Sequence, residues 1–555
     1  MVYIVLSRAP GGTLARVFGD DGVESAAPEL IADLAAFVER RERDRPRWVW
    51  DDTRRWYPEL LAAGLRVERC VDLRLCHVIL RNSTLTADSA LATGPRGPWD
   101  FALVVDDQPR IRDTALFDFD EHEAIAEPDP LDEFLAQRAA IAASVNPGRI
   151  GLLLAAESAG ALIACEMKYA GLPLDADTHD RLLTDLLGPR PRFGERPEKL
   201  EALLTAMKRI LDTDDVNPDS PAELLKALGR AGILATSTRS WELKEIVHPV
   251  IAPLLEYKKL SRLMTANGWS WLETWVADGR FRPEYVPGGV VTGRWAASGG
   301  GALQLPKQIR GAVIPDPGWK LVVADASQLE PRILSAMSGD RQMAEAGRGD
   351  LYEGIVNSGA VTTRAQAKVA MLGAMYGATS GESGRLMPAL SRAFPQAIAL
   401  VETAARSGER GEVVTTQLGR SSPLPGTEWQ AAQGDAYGEA ATPASAARAR
   451  GAARSWGRFT RNFIVQGTAA EWALCWMAGL RGRLWNLSDG TVLQRPHLVF
   501  FLHDEVIVHA PAELADAVIT EIRAAAVDAG RLIFGTIPVD FPVTAVVVDN
   551  YAQAK

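Results

Sequence analysis

The sequence predicts a multidomain α+β protein, on three observations. Strand and helix patterns alternate in the first hundred residues, the patterns from about 150 to 285 are mostly helical, and strong strand patterns return late, at Leu321-Val322-Val323-Ala324 and across 498–509. With 555 residues, 47% hydrophobic and 23% charged, the chain can bury several cores. At roughly 150 residues per domain it holds three or four compact units.

In chain order, the apolar run Val2-Tyr3-Ile4-Val5-Leu6 reads as a strand. Pro28 to Arg41 reads as a helix with Leu30, Ile31, Leu34, Phe37 and Val38 on one face, and Trp48-Val49-Trp50 as a second strand, together a small α/β domain. From Asp106 to about Asp132 the composition turns acidic and Pro-containing, through Phe117-Asp118-Phe119-Asp120-Glu121, which reads as a linker or solvated loop. Leu-rich helical segments separated by Pro-containing turns follow to about 285, with basic residues returning at 190–199 and at Tyr257-Lys258-Lys259. After Gly288 come a Gly-rich turn, the strand at 321–324, a long helical stretch from about 340 to 410 and the strand pair near 498–509. Ser421 to Gly451, rich in Gly, Ala, Ser and Pro, reads as a long loop.

Sixty Lys and Arg against seventy Asp and Glu give a formal net charge of −10, so a nucleic-acid partner requires a locally basic groove and not a basic coat. The four cysteines, Cys70, Cys76, Cys165 and Cys475, form no CxxC pair, which argues against a disulfide scaffold or a cysteine zinc site and fits a reducing cytoplasm. The N-terminal apolar run is too short for a signal peptide, and no stretch is expected to reach the length of a membrane span, so no membrane partner is expected. Without an export signal, Asn82-Ser83-Thr84 reads as a chance sequon.

Three constellations can carry chemistry. Leu498 to His509 is two apolar β-rich runs with His503-Asp504-Glu505 between them, a hairpin with acids at its apex; the plainer reading is that turns favour Asp. In Leu321 to Arg332, Asp325 follows four apolar residues at a strand end, where an acid is costly unless paired or metal-bound. Ser327 and Glu330 have capping-box spacing, and Pro331 suits the first turn of a helix. Arg364, Lys368, Leu372 and Tyr376 recur at i+4, which lines up two cations, an apolar residue and an aromatic on one helix stripe. That stripe suits a nucleoside triphosphate, and equally an amphipathic helix with solvated basic residues. Gly373 and Gly377 weaken this helix by about 1 kcal/mol each relative to Ala, which points to close backbone approach.

The order Thr292-Gly293-Arg294, Asp325-Ala326-Ser327-Gln328-Leu329-Glu330-Pro331-Arg332, Arg364-x3-Lys368-x7-Tyr376-Gly377, Asn462-x3-Gln466-Gly467-Thr468-Ala469 and His503-Asp504-Glu505 resembles the polymerase domain of the bacterial DNA polymerase I family, family A. The resemblance runs from about 150 to the C-terminus, and Leu255 to Leu260 is similar to the family's thumb. It implies a right-hand polymerase of palm, fingers and thumb, preceded by an α/β ribonuclease H-like exonuclease-type domain. The implied units are a degenerate 3′ to 5′ exonuclease-like domain at 1–145, a helical thumb at 146–284, palm at 285–340 and 451–555, and fingers at 341–450.

The resemblance also implies primer extension with dNTPs on a DNA template, in repair or gap filling, by a cytoplasmic, nucleoid-associated monomer. It assigns Asp325 and Asp504 to two Mg²⁺ ions, with Mn²⁺ as an alternative, and Glu505 as a supporting acid. Arg364 and Lys368 hold the triphosphate, Lys368 also counting among the catalytic residues. Gln328, Leu372 and Tyr376 complete the nucleotide site, and Glu330 closes off the space for a ribose 2′-hydroxyl. Arg294, Asn462, Gln466, His503 and Arg458 face primer-template DNA near the primer end.

Some positions depart from the family pattern. Leu372 stands where the family has Phe or Tyr, Ala326 where an aromatic is common and Pro331 where an aliphatic is frequent, so unusual nucleotide discrimination is expected. The first strand runs into Ser7-Arg8-Ala9-Pro10 without the Asp-x-Glu pair of an exonuclease, and neither Tyr3 nor Tyr57 has an acid four residues on. Asp51 and Asp52 match at most one element, so the N-terminal domain is expected to lack proofreading, and no separate 5′ nuclease domain is expected. The competing readings are a catalytically weak or inactive DNA-binding protein on the same fold, a polymerase with relaxed sugar or template choice, and a metal-dependent hydrolase on another fold. Retention of Asp325, Asp504, Arg364 and Lys368 together argues against a mere binder, which gains nothing from two acids facing a polyanion.

Overall fold

The computed structural model describes residues 2–101, 128–192, 194–299, 301, 305–378, 381–437 and 441–554. The N-terminal strand is longer than expected and doubles back: β1 (Tyr3–Ala9) pairs antiparallel with β2 (Gly12–Phe18), which pairs with β3 (Glu29–Ile31). On its other edge β1 pairs parallel with β4 (Arg47–Trp50), and β4 with β5 (Cys70–Asp72), giving the order β3-β2-β1-β4-β5. The helix expected over Pro28 to Arg41 splits: Glu29–Ile31 is strand, and α1 (Leu34–Glu42) begins only after Asp33, whose side chain accepts from the Ala36 N–H at 3.0 Å. That cap decides the boundary, and Leu30 is left exposed.

Around this sheet lie α2 (Thr53–Ala62), α3 (Leu73–Asn82), α4 (Ala90–Thr93) and α5 (Pro130–Ala142). The acidic linker expected over 106–132 lies outside the described residues up to 127, and its last part already belongs to the start of α5.

Next comes α6 (Pro147–Ala170), 24 residues long and apolar enough to span a membrane, contrary to the expectation that no stretch reaches that length. Here it is a core helix, packed against α2, α3 and β5, with Glu157 and Glu166 paired to buried arginines. The helical middle continues as α7 (Ala176–Leu187), α8 (Glu198–Leu211), α9 (Pro221–Arg230), α10 (Ser240–Lys244), α11 (Ile251–Asn267) and α12 (Trp269–Trp275). Short strands β6 (Leu172–Pro173), β7 (Val276–Ala277) and β8 (Arg280–Phe281) form one small sheet, and β9 (Glu284–Val286) with β10 (Ala296–Gly299) another.

The C-terminal sheet has the order β12-β13-β11-β14, from β11 (Trp319–Ala326), β12 (His497–Leu502), β13 (Glu505–Pro511) and β14 (Val543–Val548), all antiparallel. Between β11 and β12 run α13 (Leu329–Ser338), α14 (Arg341–Ala346), α15 (Leu351–Asn357), α16 (Arg364–Tyr376), α17 (Gly381–Ala393), α18 (Pro395–Glu409), α19 (Thr427–Tyr437) and α20 (Pro443–Trp485). The loop expected over Ser421 to Gly451 is therefore largely helix. Its alanines favour helix, and Thr442 with Ser445 forms a reciprocal N-cap ahead of Pro443, which starts the 43-residue α20. Finally α21 (Ala515–Phe534) packs on α20 and β11. All four cysteines are free and buried.

Candidate functional site

β11 buries Leu321, Val322, Val323 and Ala324 completely or nearly so, and Asp325 is half-buried where the strand leaves the core. Asp325 lies within the strand, opposite Glu505 on one side and Thr544 on the other. The β12–β13 hairpin turns through His503 and Asp504, as expected, with His503 in the left-handed region at φ 60. The Ala326 N–H donates to the Asp504 carbonyl at 2.9 Å, which fixes both aspartates at one end of the sheet. Glu505 begins β13, is 2% exposed, and accepts from the Tyr551 hydroxyl. Burial, and then Arg294, hold the His503 imidazole below its ordinary value. Among the described residues no cluster of three or more His, Cys, Asp or Glu forms a metal cage. Two half-buried carboxylates are an oxygen donor set that fits a hard divalent cation whose remaining ligands are water and substrate phosphates.

The α16 stripe forms as the spacing predicts. Thr363 caps the helix, accepting from the Gln366 N–H at 3.2 Å; Ala367, Ala370, Met371, Ala374 and Met375 are buried, and Arg364, Lys368, Leu372 and Tyr376 are exposed. Gly373 and Gly377 have the close neighbours anticipated. A Cβ on Gly373 would collide with the Ser383 Oγ, and one on Gly377 (φ 73) would lie 2.7 Å from the Arg458 Cγ. Arg364 donates to Asp350 at 2.8 Å and sits 5.3 Å from the Tyr352 ring centroid. Lys368 has no ion pair among the described residues.

Glu330 is where the elements meet. It is ion-paired to Arg294 and accepts from the Tyr376 hydroxyl at 3.0 Å, and burial together with Glu330 raises the Tyr376 phenol. The capping box suggested by Ser327 and Glu330 does not form. Gln328 is the N-cap, at φ 56 without a side-chain cap bond, and Ser327 Oγ lies 3.3 Å from Thr544 Oγ1 instead. Glu330 is thereby left facing Arg294 and Tyr376. Gln328 Oε1 accepts from the Leu351 N–H at 2.8 Å, so it braces α15 as well as lining the cleft.

A cavity of about 400 Å³ brings together Arg294, Gln328, Glu330, Leu372, Gln466, His503 and Asp504, with Tyr352, Trp295 and Met375 in its wall. Asp325, Arg364, Lys368, Tyr376, Asn462 and Arg458 are not in that wall. On α20, Asn462 lies one turn before Gln466, and its buried Oδ1 has no hydrogen-bond partner among the described residues. Arg458 is exposed, with its stem against Gly377. Sequence reasoning missed Asp350 and Tyr352; the only trace was an Asp followed by a short amphipathic helix, which is indistinguishable from any N-cap.

In the N-terminal unit the acids at the ends of β4 and β5 are engaged locally. Asp51 accepts from Arg55 and from the Trp56 indole, both at 2.5 Å, Asp52 caps α2 and pairs with Arg54, and Asp72 caps α3 and accepts from Thr53. Burial, and next Asp52, push the Asp72 carboxyl up to about 7. The end of β1 contributes Arg8, whose guanidinium lies over Trp56.

The fold is similar across its whole length to the POL domain of Pol1 from M. smegmatis, determined in complex with DNA primer-template and dNTP: TM-score 0.69 and 17% identity, covering 100% of this chain and 95% of that one. That architecture is the right-hand polymerase fold. Residues 194–552 match the DNA polymerase family A model, and the chain belongs to that family. The thermostable DNA polymerase I of Thermus aquaticus is 26% identical over 330 residues, 53% of this chain, and the DNA polymerase I of Chloroflexus aurantiacus 26% over 328. The chain spans about a third of the length of these relatives, 36% and 32%.

Proposed function

We propose that this chain extends the 3′ end of a DNA primer on a DNA template with dNTPs, by metal-assisted nucleotidyl transfer. The observation that carries the reading is the pairing of Asp325 with the Asp504 hairpin at one sheet end, next to a cleft reached by the exposed α16 stripe through the Tyr376–Glu330–Arg294 contacts. Family A polymerases use divalent metal ions; Asp325 and Asp504 would hold two Mg²⁺, or Mn²⁺, which would supply charge neutralisation for the phosphates. Lys368 and Arg364 meet the triphosphate, and Arg364 must exchange Asp350 for it. Glu330, held by Arg294 and Tyr376, narrows the space beside the sugar. Gln328 positions α15, and Leu372 presents an aliphatic surface to the nucleotide. Glu505, locked to Tyr551, supports the sheet end. Arg294, Asn462, Gln466, His503 and Arg458 face the duplex near the primer terminus.

In this reading 285–340 with 451–555 is the palm, 341–450 the fingers and 146–284 the thumb of a monomeric, cytoplasmic and nucleoid-associated repair polymerase. The unit at 1–145 is an exonuclease-like domain without proofreading. Its strand order, three antiparallel strands followed by two parallel ones, supports the kinship, and the engagement of Asp51, Asp52 and Asp72 by caps and arginines supports the loss of metal binding.

The test is single-nucleotide addition to a labelled recessed primer, with each dNTP alone opposite each template base and one lane without dNTPs. Addition of only the complementary nucleotide is expected, with no shortening in the dNTP-free lane. Addition independent of the template base would overturn the reading, and shortening would overturn the loss of proofreading.

A further inference from the structure

Beneath Arg294 lies a set of buried charges that the proposed chemistry does not use. Glu157 of α6, 1% exposed, is ion-paired with Arg420, itself 9% exposed, in the tight turn closed by the Thr415–Ser421 bridge. The turn is held internally by the Arg420 N–H donating to Thr416 Oγ1 and the Thr416 N–H donating to the Arg420 carbonyl, both at 2.9 Å. It is anchored to α20: the Thr416 hydroxyl and the Leu418 N–H donate to the Glu471 carboxylate, and the Gln417 N–H to Thr468 Oγ1 at 3.1 Å. Across the interface with the N-terminal unit, Ser83 Oγ donates to the Gly419 carbonyl at 2.6 Å.

The turn touches the site at two glycines. Gly293, at φ 85, has the Arg420 guanidinium where a side chain would be, its Cζ 2.8 Å from a built Cβ. On Gly467 a Cβ would lie 2.5 Å from the Thr416 Cγ2 and 3.2 Å from the Thr292 carbonyl. Arg294 is the residue after Gly293, and Gln466 the residue before Gly467. Thr292 is 3% exposed, and its hydroxyl has no partner among the described residues. The loop is closed by its own backbone, the Gly293 N–H donating to the Val290 carbonyl at 2.7 Å and the Val290 N–H to the Arg294 carbonyl at 3.1 Å, and it is seated by packing of Gly293 against the Arg420 guanidinium.

We propose that Arg420, held between Glu157 and the turn anchored on Glu471, is a positioning residue for the primer terminus, setting Arg294 and Gln466 at one height so that both meet the minor groove of the terminal base pair. The inference rests on the polymerase reading above. A planar guanidinium paired on one side can lie flat against a glycine backbone, whereas an ammonium cannot fill the same layer. A shift of Arg294 relative to Gln466 then weakens recognition of a correctly paired end more than general DNA binding, because such contacts report pair geometry.

The experiment compares kcat/KM for extending a matched and a singly mismatched primer end by the native chain, Arg420→Lys, Glu157→Gln, Arg294→Ala, and Arg420→Lys with Arg294→Ala. Thermal melting checks that each variant is folded, and Glu157→Gln serves if Arg420→Lys is not. The expected result is a fall of about tenfold in the matched-to-mismatched ratio for Arg420→Lys and Glu157→Gln, with no further fall when Arg420→Lys is added to Arg294→Ala. A merely structural role would scale both extensions alike and leave the ratio at its native value, which would overturn the proposal. So would a full additional fall in the Arg294→Ala background. If the native chain extends neither primer, the polymerase reading fails and this inference with it; if it extends both and the variants keep its ratio, this inference alone fails.

Discussion

Replacing Arg481 by Met tests whether the N-terminal unit is a structural part of the fold and not an appendage. Arg481 leaves α20 to meet both oxygens of Glu166 at 2.9 and 2.6 Å, and donates to the carbonyls of Val67 at 2.5 Å and Glu68 at 2.8 Å in the N-terminal unit. Tyr57 of that unit donates to the same Glu166, and Arg66 lies 3.7 Å from it. Burial pushes the Glu166 carboxyl up, but Arg481, helped by Arg66 and Tyr57, outweighs it and holds the group below the ordinary range. Methionine fills a similar volume but leaves a buried carboxylate and two carbonyls short of donors, so Arg481→Met is expected to cost about 3–5 kcal/mol at pH 7.5. The sign with pH follows. In the native chain the Glu166 stabilisation is present above about pH 4.5 and is lost as pH falls through the depressed value. In the variant, burial dominates and the folded state takes up a proton more readily than the unfolded one, so the gap between the proteins narrows towards pH 5. Urea denaturation of both proteins at pH 7.5 and 5 measures this. A loss below about 1 kcal/mol, the scale of a surface pair, or a gap equal at both pH values, would refute the reasoning.

Gly373→Ala is expected to destabilise by about 1–3 kcal/mol in thermal melts, because its methyl would collide with Ser383, and adding Ser383→Gly should restore part of the loss. Leu372→Phe is expected to change the incorporation ratios among dNTP, NTP and dideoxy-NTP; ratios equal to native would remove Leu372 from sugar selection. Burial, followed by the neighbouring His497, lowers the His509 imidazole to about 3, so the unfolded chain binds a proton below about pH 6.5 that the folded chain refuses. Stability therefore falls as pH drops below 6.5, by about 2 kcal/mol at pH 5 from this group, and His509→Phe should flatten that dependence in denaturation curves.

Much of the placement of the candidate site residues was legible because it is local in sequence. Asp325 follows an apolar strand, the Asp504 apex is bracketed by apolar runs, and Arg364, Lys368, Leu372 and Tyr376 need only helical periodicity to share a face. Helix at Thr427–Tyr437 and Pro443 onward was misread because Ala was counted with Gly, Ser and Pro as loop composition, although it is the strongest helix former. The β1–β2 hairpin was missed because Arg8 and Arg16 interrupt the apolar pattern, and because β1 buries Ile4, Val5 and Leu6 in succession and so shows no alternation of faces. The Glu157–Arg420 and Glu166–Arg481 pairs join residues hundreds of positions apart, and no periodicity announces a buried charge whose partner is distant. Similarly, the Ser327–Glu330 spacing matched a capping box, but the tertiary pull of Arg294 and Tyr376 on Glu330 prevailed.

The most direct test of the central claim is templated addition of one dNTP to a recessed DNA primer in Mg²⁺, by the native chain and by Asp504→Ala, with melting curves to show both folded. The account predicts template-dependent addition by the native chain that is abolished by chelation and falls by about a thousandfold or more in Asp504→Ala, the scale of losing a principal electrostatic stabiliser. Native-level addition by Asp504→Ala, or no addition by the folded native chain, would contradict it.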